Sequence, residues 1–93
     1  MYTHFKWGEA KRETNLRVHG IDFVDTHQVF AGLTFTFEDS RFNYGESRYV
    51  TLRLLKQSVV TVVHTEHHNV IRIISVRKAT KHEQTIYFRQ IAN

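Results

Sequence analysis

Alternating apolar and polar residues in the middle of the chain predict a β-sheet. Leu33–Phe37 and Tyr49–Leu55 each alternate with a period of two, which places their apolar side chains on one face of a strand. Val59–Thr65 is nearly all β-branched, as in a strand with little solvent exposure, and Val70–Val76 follows as a fourth strand. Turns of only three and four residues join the last three strands, so we expect an antiparallel meander.

Helical patterns precede and follow these strands. Glu9–Val18 is rich in helix formers and ends just before Gly20, a residue suited to the left-handed conformation of a helix C-terminus. A second short apolar face then follows, formed by Phe23, Val24, Val29 and Phe30. Near the end of the chain, Thr80 and Glu83 have the spacing of a capping box, and an apolar stripe comes after them. We therefore assign residues 1–93 to one α+β domain with two N-terminal helices, a four-stranded, mainly antiparallel sheet and a C-terminal helix.

Composition excludes several classes of protein. The chain has 93 residues, of which 41% are hydrophobic and 24% charged, as in ordinary globular domains. It contains no cysteine, so disulfides and thiolate metal sites are impossible. The longest apolar run is three residues, and the N-terminus lacks the apolar segment of a signal peptide. We expect a cytoplasmic protein with no membrane partner.

The net charge of +4 is concentrated at the C-terminal end. Residues 72–93 contain five basic side chains against one acidic: Arg72, Arg77, Lys78, Lys81 and Arg89 against Glu83. Such a segment can attract a polyanion or an acidic protein partner. The alternative is an exposed helix surface without a ligand.

Seven histidines raise the question of a metal site. His64, His67 and His68 lie within five residues of one another, yet no second cluster of ligands accompanies them. We interpret them as surface histidines of a turn and expect no metal. The chain also lacks a glycine-rich phosphate loop and a metalloprotease helix, so we expect no cofactor.

A run of basic residues precedes the last helix. On a regular strand Arg72 points away from the face that carries Ile73 and Ser75. Arg77 and Lys78 end the strand, just before a helix N-terminus, where anions are favoured. Together these cations could bind a phosphate. The alternative is that Arg72 pairs with a cross-strand carboxylate and the other two are merely exposed.

Several motifs, taken together, resemble one protein family. The N-terminal motifs are Trp7, Glu9-Ala-Lys11, Asn15-x-x-x-His19-Gly20-Ile21-x-Phe23 and Val29-Phe30. The C-terminal motifs are Tyr44-Gly45-Glu46-x-Arg48, His64-Thr65-Glu66 and Arg72-Ile-Ile-Ser75-x-Arg77-Lys78-Ala79-Thr80, with Glu83 and Tyr87. From about Phe5 to Tyr87 the chain resembles the BrnT toxins, which belong to the RelE/ParE-like superfamily of bacterial type II toxin–antitoxin systems.

The resemblance implies a RelE-like fold and a small endoribonuclease that stops translation and growth by cutting RNA. It implies activity without a metal, and silencing by a BrnA-like ribbon–helix–helix antitoxin, through which alone the toxin would contact operator DNA. RNA supplies its own nucleophile, the 2′-hydroxyl. The protein must therefore provide a base, an acid and cations around the phosphate.

Candidate roles follow from this chemistry. His19 is the candidate general acid or base, because imidazole titrates closest to neutral pH; alternatively it bonds a carbonyl at its helix end. Glu83 is a second candidate base, although the capping box alone explains it. The candidate cations for transition-state charge are Arg48, Arg72 and Arg77. The candidate RNA contacts are Arg17, Lys78, Tyr87 and Trp7, of which the two aromatic residues either stack on bases or pack in the core.

The chain departs from the family pattern at two positions. Val18 stands where the family usually has a lysine, and His67 stands where a basic residue is usual. If that lysine serves the RNA site, this chain is weakened or uses Arg17 instead. An attenuated domain that only binds its antitoxin is therefore one alternative, and a toxin that acts on a protein such as gyrase is another.

Overall fold

The described residues, 4–40 and 45–91, form a five-stranded sheet with helical segments on both faces. This is the computed structural model of the chain. The elements are β1 (His4–Lys6), α1 (Glu9–His19), a 3-10 turn (Phe23–Asp25), α2 (Thr26–Phe30), β2 (Phe35–Asp39), β3 (Arg48–Leu55), β4 (Ser58–His67), β5 (Val70–Lys78) and α3 (Lys81–Ile91). Within the described ranges, no helix is long and apolar enough to cross a membrane.

The sheet has the strand order β1-β5-β4-β3-β2. Strands β3 to β5 form the expected antiparallel meander, and β2 pairs antiparallel with β3. The prediction of four strands is nevertheless wrong, because β1 adds a fifth strand parallel to β5, with Phe5 opposite Ile71. Three residues are too few to display a period-two pattern, so this strand has no periodicity by which it could be predicted.

The helix termini follow the predicted local chemistry, with one exception. Gly20 ends α1 at φ 72°, and its N–H donates to the Leu16 carbonyl at 2.9 Å. At α3 the capping box is confirmed, with Thr80 and Glu83 exchanging hydrogen bonds of 2.9 and 3.1 Å. The second predicted helix is only partly right. Asp22 accepts a hydrogen bond from its neighbouring backbone and starts a 3-10 turn, which leads into the short α2.

Two apolar clusters pack on opposite faces of the sheet. One contains Phe23 from the 3-10 turn, Val29 from α2 and residues from β4 and β5 beneath them: Val60, Val62, Ile71, Ile73 and Val76. The other lies beneath α3 and contains Val50, Leu52, Val59, Ala79 and Tyr87. Both faces are therefore needed for the core, and α3 covers only part of its face.

Asn15 attaches α1 to the edge of β5 beyond the short β1. Its side-chain amide accepts a hydrogen bond from the Val76 N–H at 3.1 Å and donates to the Val76 carbonyl at 2.9 Å. The same amide donates to the Ile21 carbonyl at 3.0 Å. Strand β1 pairs only with residues 70–72 of β5. The buried Asn15 thus takes the place of a strand partner and satisfies the backbone of Val76.

His64 is a core residue, which corrects its interpretation as a surface histidine. Strand β4 continues through it, and its side chain is fully buried. Its Nε2 lies 2.7 Å from the Thr51 hydroxyl, and Thr51 in turn lies 2.7 Å from the Thr36 hydroxyl. Burial lowers the pKa of His64 to about 4, although Glu66 opposes this shift. His64 is therefore neutral at physiological pH, whereas His67 and His68 are exposed as expected.

We predict that His64 makes the domain sensitive to mild acid. Because the pKa of His64 is lowered on folding, its contribution to the free energy of unfolding is fully present above the unfolded pKa of about 6.5. This contribution is lost as the pH falls towards about 4. Between pH 7 and pH 5 this residue should cost roughly 2 kcal/mol of unfolding free energy. Urea unfolding of His64→Gln should show much less pH dependence than the wild type. The exposed-site control His67→Gln should behave like the wild type, and an equal loss in all three proteins would contradict the assignment.

Candidate active site

A β-bulge in β5 brings Arg72, Ser75 and Arg77 to the same face of the sheet. Ile74 is the extra residue, because consecutive residues of β4 pair with Ile73 and Ser75. Without the bulge, two arginines five positions apart would lie on opposite faces, since side chains alternate along a strand. We expected the side chains of Ser75 and Arg72 to lie on different faces of the sheet. This is wrong, because the one extra residue of the bulge brings them to the same face.

Arg48 lies on this same face. Ser75 pairs with Val63 of β4, and Val63 pairs with Val50 of β3. Arg48 precedes Val50 by two positions, so its side chain lies on the same side as that of Val50. We call this side of the sheet the arginine face, defined by Arg48, Arg72 and Arg77.

The arginine face contains an open cleft beside the start of α3. Its volume is about 270 Å³. The apolar floor consists of Val50 and Val63. The remaining lining residues are Phe37, Glu38, Asp39 and Ser40 on one side and Arg77, His82, Glu83 and Ile86 on the other. The cleft thus combines a flat apolar surface with charged walls.

Arg77 is held at the cleft by Glu83. Its Nη1 and Nη2 donate to the two carboxylate oxygens at 2.8 and 3.0 Å. The Thr61 hydroxyl and the Thr80 N–H donate to Oε1 of the same carboxylate, each at 2.9 Å. Burial of Glu83 favours its neutral form, but these hydrogen bonds outweigh burial and lower its pKa to about 2. Glu83 is therefore ionised at neutral pH and orients Arg77, which leaves it a weak proton acceptor.

The other two arginines also lie near carboxylates. Arg72 donates from Nη2 to Glu46, which lies just before β3, and about 40% of each side chain is exposed (43% and 41%). Arg72 therefore has a carboxylate partner, as in the alternative interpretation of the sequence, but Glu46 does not lie on a strand, and Arg77 is bound to Glu83 rather than merely exposed. Arg48 is half-buried, and its register partner in β2 is Asp39.

His19 and Arg17 are not brought to this cleft. Both are exposed on α1. His19 lines a separate, largely apolar groove of about 330 Å³, together with residues such as Val18 and Ile74. The two depressions share no lining residue. The candidate general acid or base from the sequence, His19, therefore does not share a cleft with Arg77.

The remaining candidate RNA contacts lie outside the cleft. Tyr87 is only 4% exposed, and its hydroxyl donates to the Leu33 carbonyl at 2.9 Å, so its ring packs in the core. Trp7 is half-buried, with its ring edge-on to that of Phe23 at a centroid distance of 6.1 Å. Lys78 is exposed at the end of β5. Tyr44, a part of the family resemblance, is outside the described residues.

His82 is a cleft residue that the sequence analysis did not select. It is exposed near the start of α3, and it is the only one of the seven histidines, all within the described ranges, that lines the cleft. Its position next to Glu83 and five residues after Arg77 could have indicated it. Among residues 4–40 and 45–91, no group of three or more His, Asp or Glu side chains could hold a metal ion.

One comparison with known proteins assigns the chain to a family. A family model described as "Ribonuclease toxin, BrnT, of type II toxin-antitoxin system" matches residues 7–83. A search of curated proteins found no match. The matched segment runs from Trp7 to Glu83 and includes all three residues of the arginine face. Because the match covers most of its length, the chain belongs to the BrnT family of ribonuclease toxins of type II toxin–antitoxin systems.

Proposed function

We propose that this protein is a metal-independent endoribonuclease that binds the RNA backbone at its arginine face. In this proposal it has a RelE-like fold, cuts RNA in the cytoplasm and thereby stops translation and growth. Its membership of a ribonuclease toxin family supports the reaction class. The observation that carries the proposal is the placement of Arg48, Arg72 and Arg77 on one sheet face beside an open cleft.

Arginine suits the charge that develops during RNA cleavage. The attacking 2′-hydroxyl and the departing 5′-oxygen place extra negative charge on the phosphate oxygens, which fixed N–H donors stabilise. A guanidinium has five N–H donors. Glu83 engages two from Arg77, and a third donates to the Lys78 carbonyl at 3.4 Å. Two donors remain for a phosphate, and the bidentate pair with Glu83 keeps the guanidinium in a fixed orientation.

The apolar floor of the cleft and the spacing of the arginines suit a polymeric substrate. Val50 and Val63 form a flat surface between Arg77 and the row that contains Arg48 and Arg72. With about 3.3 Å per strand residue, Arg72 and Arg77 lie roughly 15 Å apart along β5. Cations at this separation can contact different phosphates of one strand, while the ribose and base between them lie over the valines.

A BrnA-like ribbon–helix–helix antitoxin is the proposed partner. A type II system neutralises its toxin with a protein, and the five basic residues of segment 72–93 would attract acidic side chains on it. An antitoxin bound over the arginine face would block entry of RNA. Contact with operator DNA would then occur through the antitoxin alone.

Val18 gives little support to the alternative of an attenuated domain. It replaces a lysine that is usual in the family, but it lies on α1 with 65% of its surface exposed. Val18 lines the groove beside His19 and does not line the arginine cleft. Loss of a lysine there therefore leaves the proposed phosphate site intact.

Replacement of Arg77 tests the proposal directly. Arg77→Ala should abolish growth arrest and reduce RNA cleavage by the purified protein by about a hundredfold or more, because a fixed donor to the phosphate is lost. Arg77→Lys should recover only part of this activity, since lysine lacks the planar fork that pairs with Glu83.

Arg17→Ala is the matched control, since it removes the same charge from an exposed position outside the cleft. It should cleave RNA like the wild type. Thermal unfolding of each variant distinguishes lost activity from lost folding. Full activity in a folded Arg77→Ala variant would exclude Arg77 from the reaction.

Glu46 should weaken RNA binding by competing for Arg72. The two side chains form an exposed ion pair, and such pairs contribute up to about 1 kcal/mol. Glu46→Gln should therefore tighten binding of a 2′-O-methyl RNA, which cannot be cleaved, by up to about fivefold. Glu13→Gln removes the same charge from the exposed surface of α1. Binding is measured by fluorescence anisotropy. Equally tighter binding by both variants would show that the effect comes from net charge and not from competition between Glu46 and RNA for Arg72.

A further inference from the structure

We propose that His82 is the proton acceptor for the RNA 2′-hydroxyl in the arginine cleft. This inference rests on the proposed ribonuclease function and adds to it the group that carries out proton transfer. His82 and Arg77 line the same cleft, so a phosphate bound to Arg77 brings its adjoining ribose close to the imidazole.

The position of His82 is fixed by the same contacts that fix Arg77. His82 directly precedes Glu83, and Glu83 binds Arg77 through two hydrogen bonds. The capping box between Glu83 and Thr80 sets the first turn of α3 around it. The backbone of His82 is therefore held relative to the guanidinium, while its side chain is exposed to solvent. General acid–base catalysis requires a titratable group in such a fixed position relative to the reacting phosphate.

The other histidines are unsuited to this role by position. His64 is fully buried against Thr51, and His27 has its Nδ1 2.7 Å from the Val24 carbonyl. His67 and His68 pack on each other with ring centroids 4.1 Å apart. Neither His19 nor the exposed His4 lines the cleft. Within the described part of the chain, the His82 ring makes no hydrogen bond, ion pair or ring contact, so both of its nitrogens are available to substrate.

The carboxylates of the cleft are less suitable as the base. Glu83 is bound to Arg77 and has a pKa of about 2. Asp39 is buried in register with Arg48, and the exposed Glu38 is in register with Tyr49, so its side chain lies on the other face of the sheet. An imidazole titrates nearer to neutral pH than an ordinary carboxylate and therefore accepts a proton more effectively. The charged side chains that surround His82 in the cleft are Arg77, Glu83 and Asp39.

The proposed step balances protons as well as bonds. Neutral His82 takes the proton of the 2′-hydroxyl while the 2′-oxygen forms a bond to phosphorus and the bond to the 5′-oxygen breaks. The products are a 2′,3′-cyclic phosphate and a 5′-hydroxyl. The departing 5′-oxygen takes its proton from water, and the hydroxide left behind receives the proton held by His82. Arg77 stabilises the charge on the phosphate oxygens throughout.

Single-turnover cleavage by the full-length chain tests this role. His82→Ala should lower the rate by on the order of a hundredfold or more while binding 2′-O-methyl RNA like the wild type. His82→Gln should be equally slow, because an amide hydrogen-bonds but does not titrate. The wild-type rate should rise with pH through the imidazole range, and this limb of the profile should disappear in both variants. His19→Ala is the matched control and should retain both rate and profile.

Each failure has a distinct signature. If the wild type cleaves RNA and a folded His82→Ala variant cleaves equally fast, the role of His82 is overturned and the ribonuclease proposal stands. Parallel losses of RNA binding and cleavage would make His82 a binding residue and would also overturn proton transfer. If the wild type cleaves no RNA, the proposed function fails and this role fails with it.

A readout that needs no turnover completes the test. On addition of adenosine 3′-monophosphate, the imidazole NMR signals of His82 should shift in the full-length chain, and those of His19 should not. Shifts at His19 alone would place the nucleotide in the other groove and contradict the inference.

Discussion

The carboxylate of Glu83 is the contact on which both the C-terminal half of the fold and the candidate site depend. It accepts hydrogen bonds from Arg77 on β5, Thr61 on β4 and the backbone of Thr80. The same contacts thus dock α3 on the sheet, cap its first turn and fix the guanidinium. A half-buried carboxylate is stable there only because its partners compensate for lost hydration. Stability and function consequently share one set of hydrogen bonds, and removal of Glu83 would weaken both.

The bulge at Ile74 is the second constraint, because it determines which side chains belong together. Strand β5 contributes to the core through Ile73 and Val76 and to the arginine face through Arg72 and Arg77. With regular alternation, Ile73 and Val76 would lie on different faces of the sheet, and so would Arg72 and Arg77. The extra residue Ile74 brings each pair to one face. Apolar burial sets the positions of Ile73 and Val76, so the arginines follow on the other side. The candidate phosphate site is therefore a consequence of how the core of β5 is packed.

Local chemistry could be predicted from the sequence, and long-range placement could not. The Gly20 terminus of α1, the capping box and the strands of the meander depend on neighbouring residues, and their patterns were sufficient. Strand β1 was missed because its three residues form a strand only by pairing with distant residues 70–72. The burial of His64 likewise depends on Thr51 and Phe30, far away in sequence. For the site, residue type identified the arginines, but only the strand register shows that they share a face. Only the packing of α3 on the sheet shows that His82, rather than His19, lines the cleft beside Arg77.

In the proposed function, Arg48, Arg72 and Arg77 form one surface for RNA phosphates. Titration of the ¹⁵N-labelled protein with a short 2′-O-methyl RNA, observed at the arginine side-chain Nε–H signals, tests this most directly. We expect these three signals to shift at a common RNA concentration, with no shift for Arg12, which is bound to Asp22, or for Arg53, which donates to the Gln28 carbonyl. Shifts at Arg12 or Arg17, with the signals of Arg72 and Arg77 unchanged, would place the RNA elsewhere and contradict the proposed RNA surface.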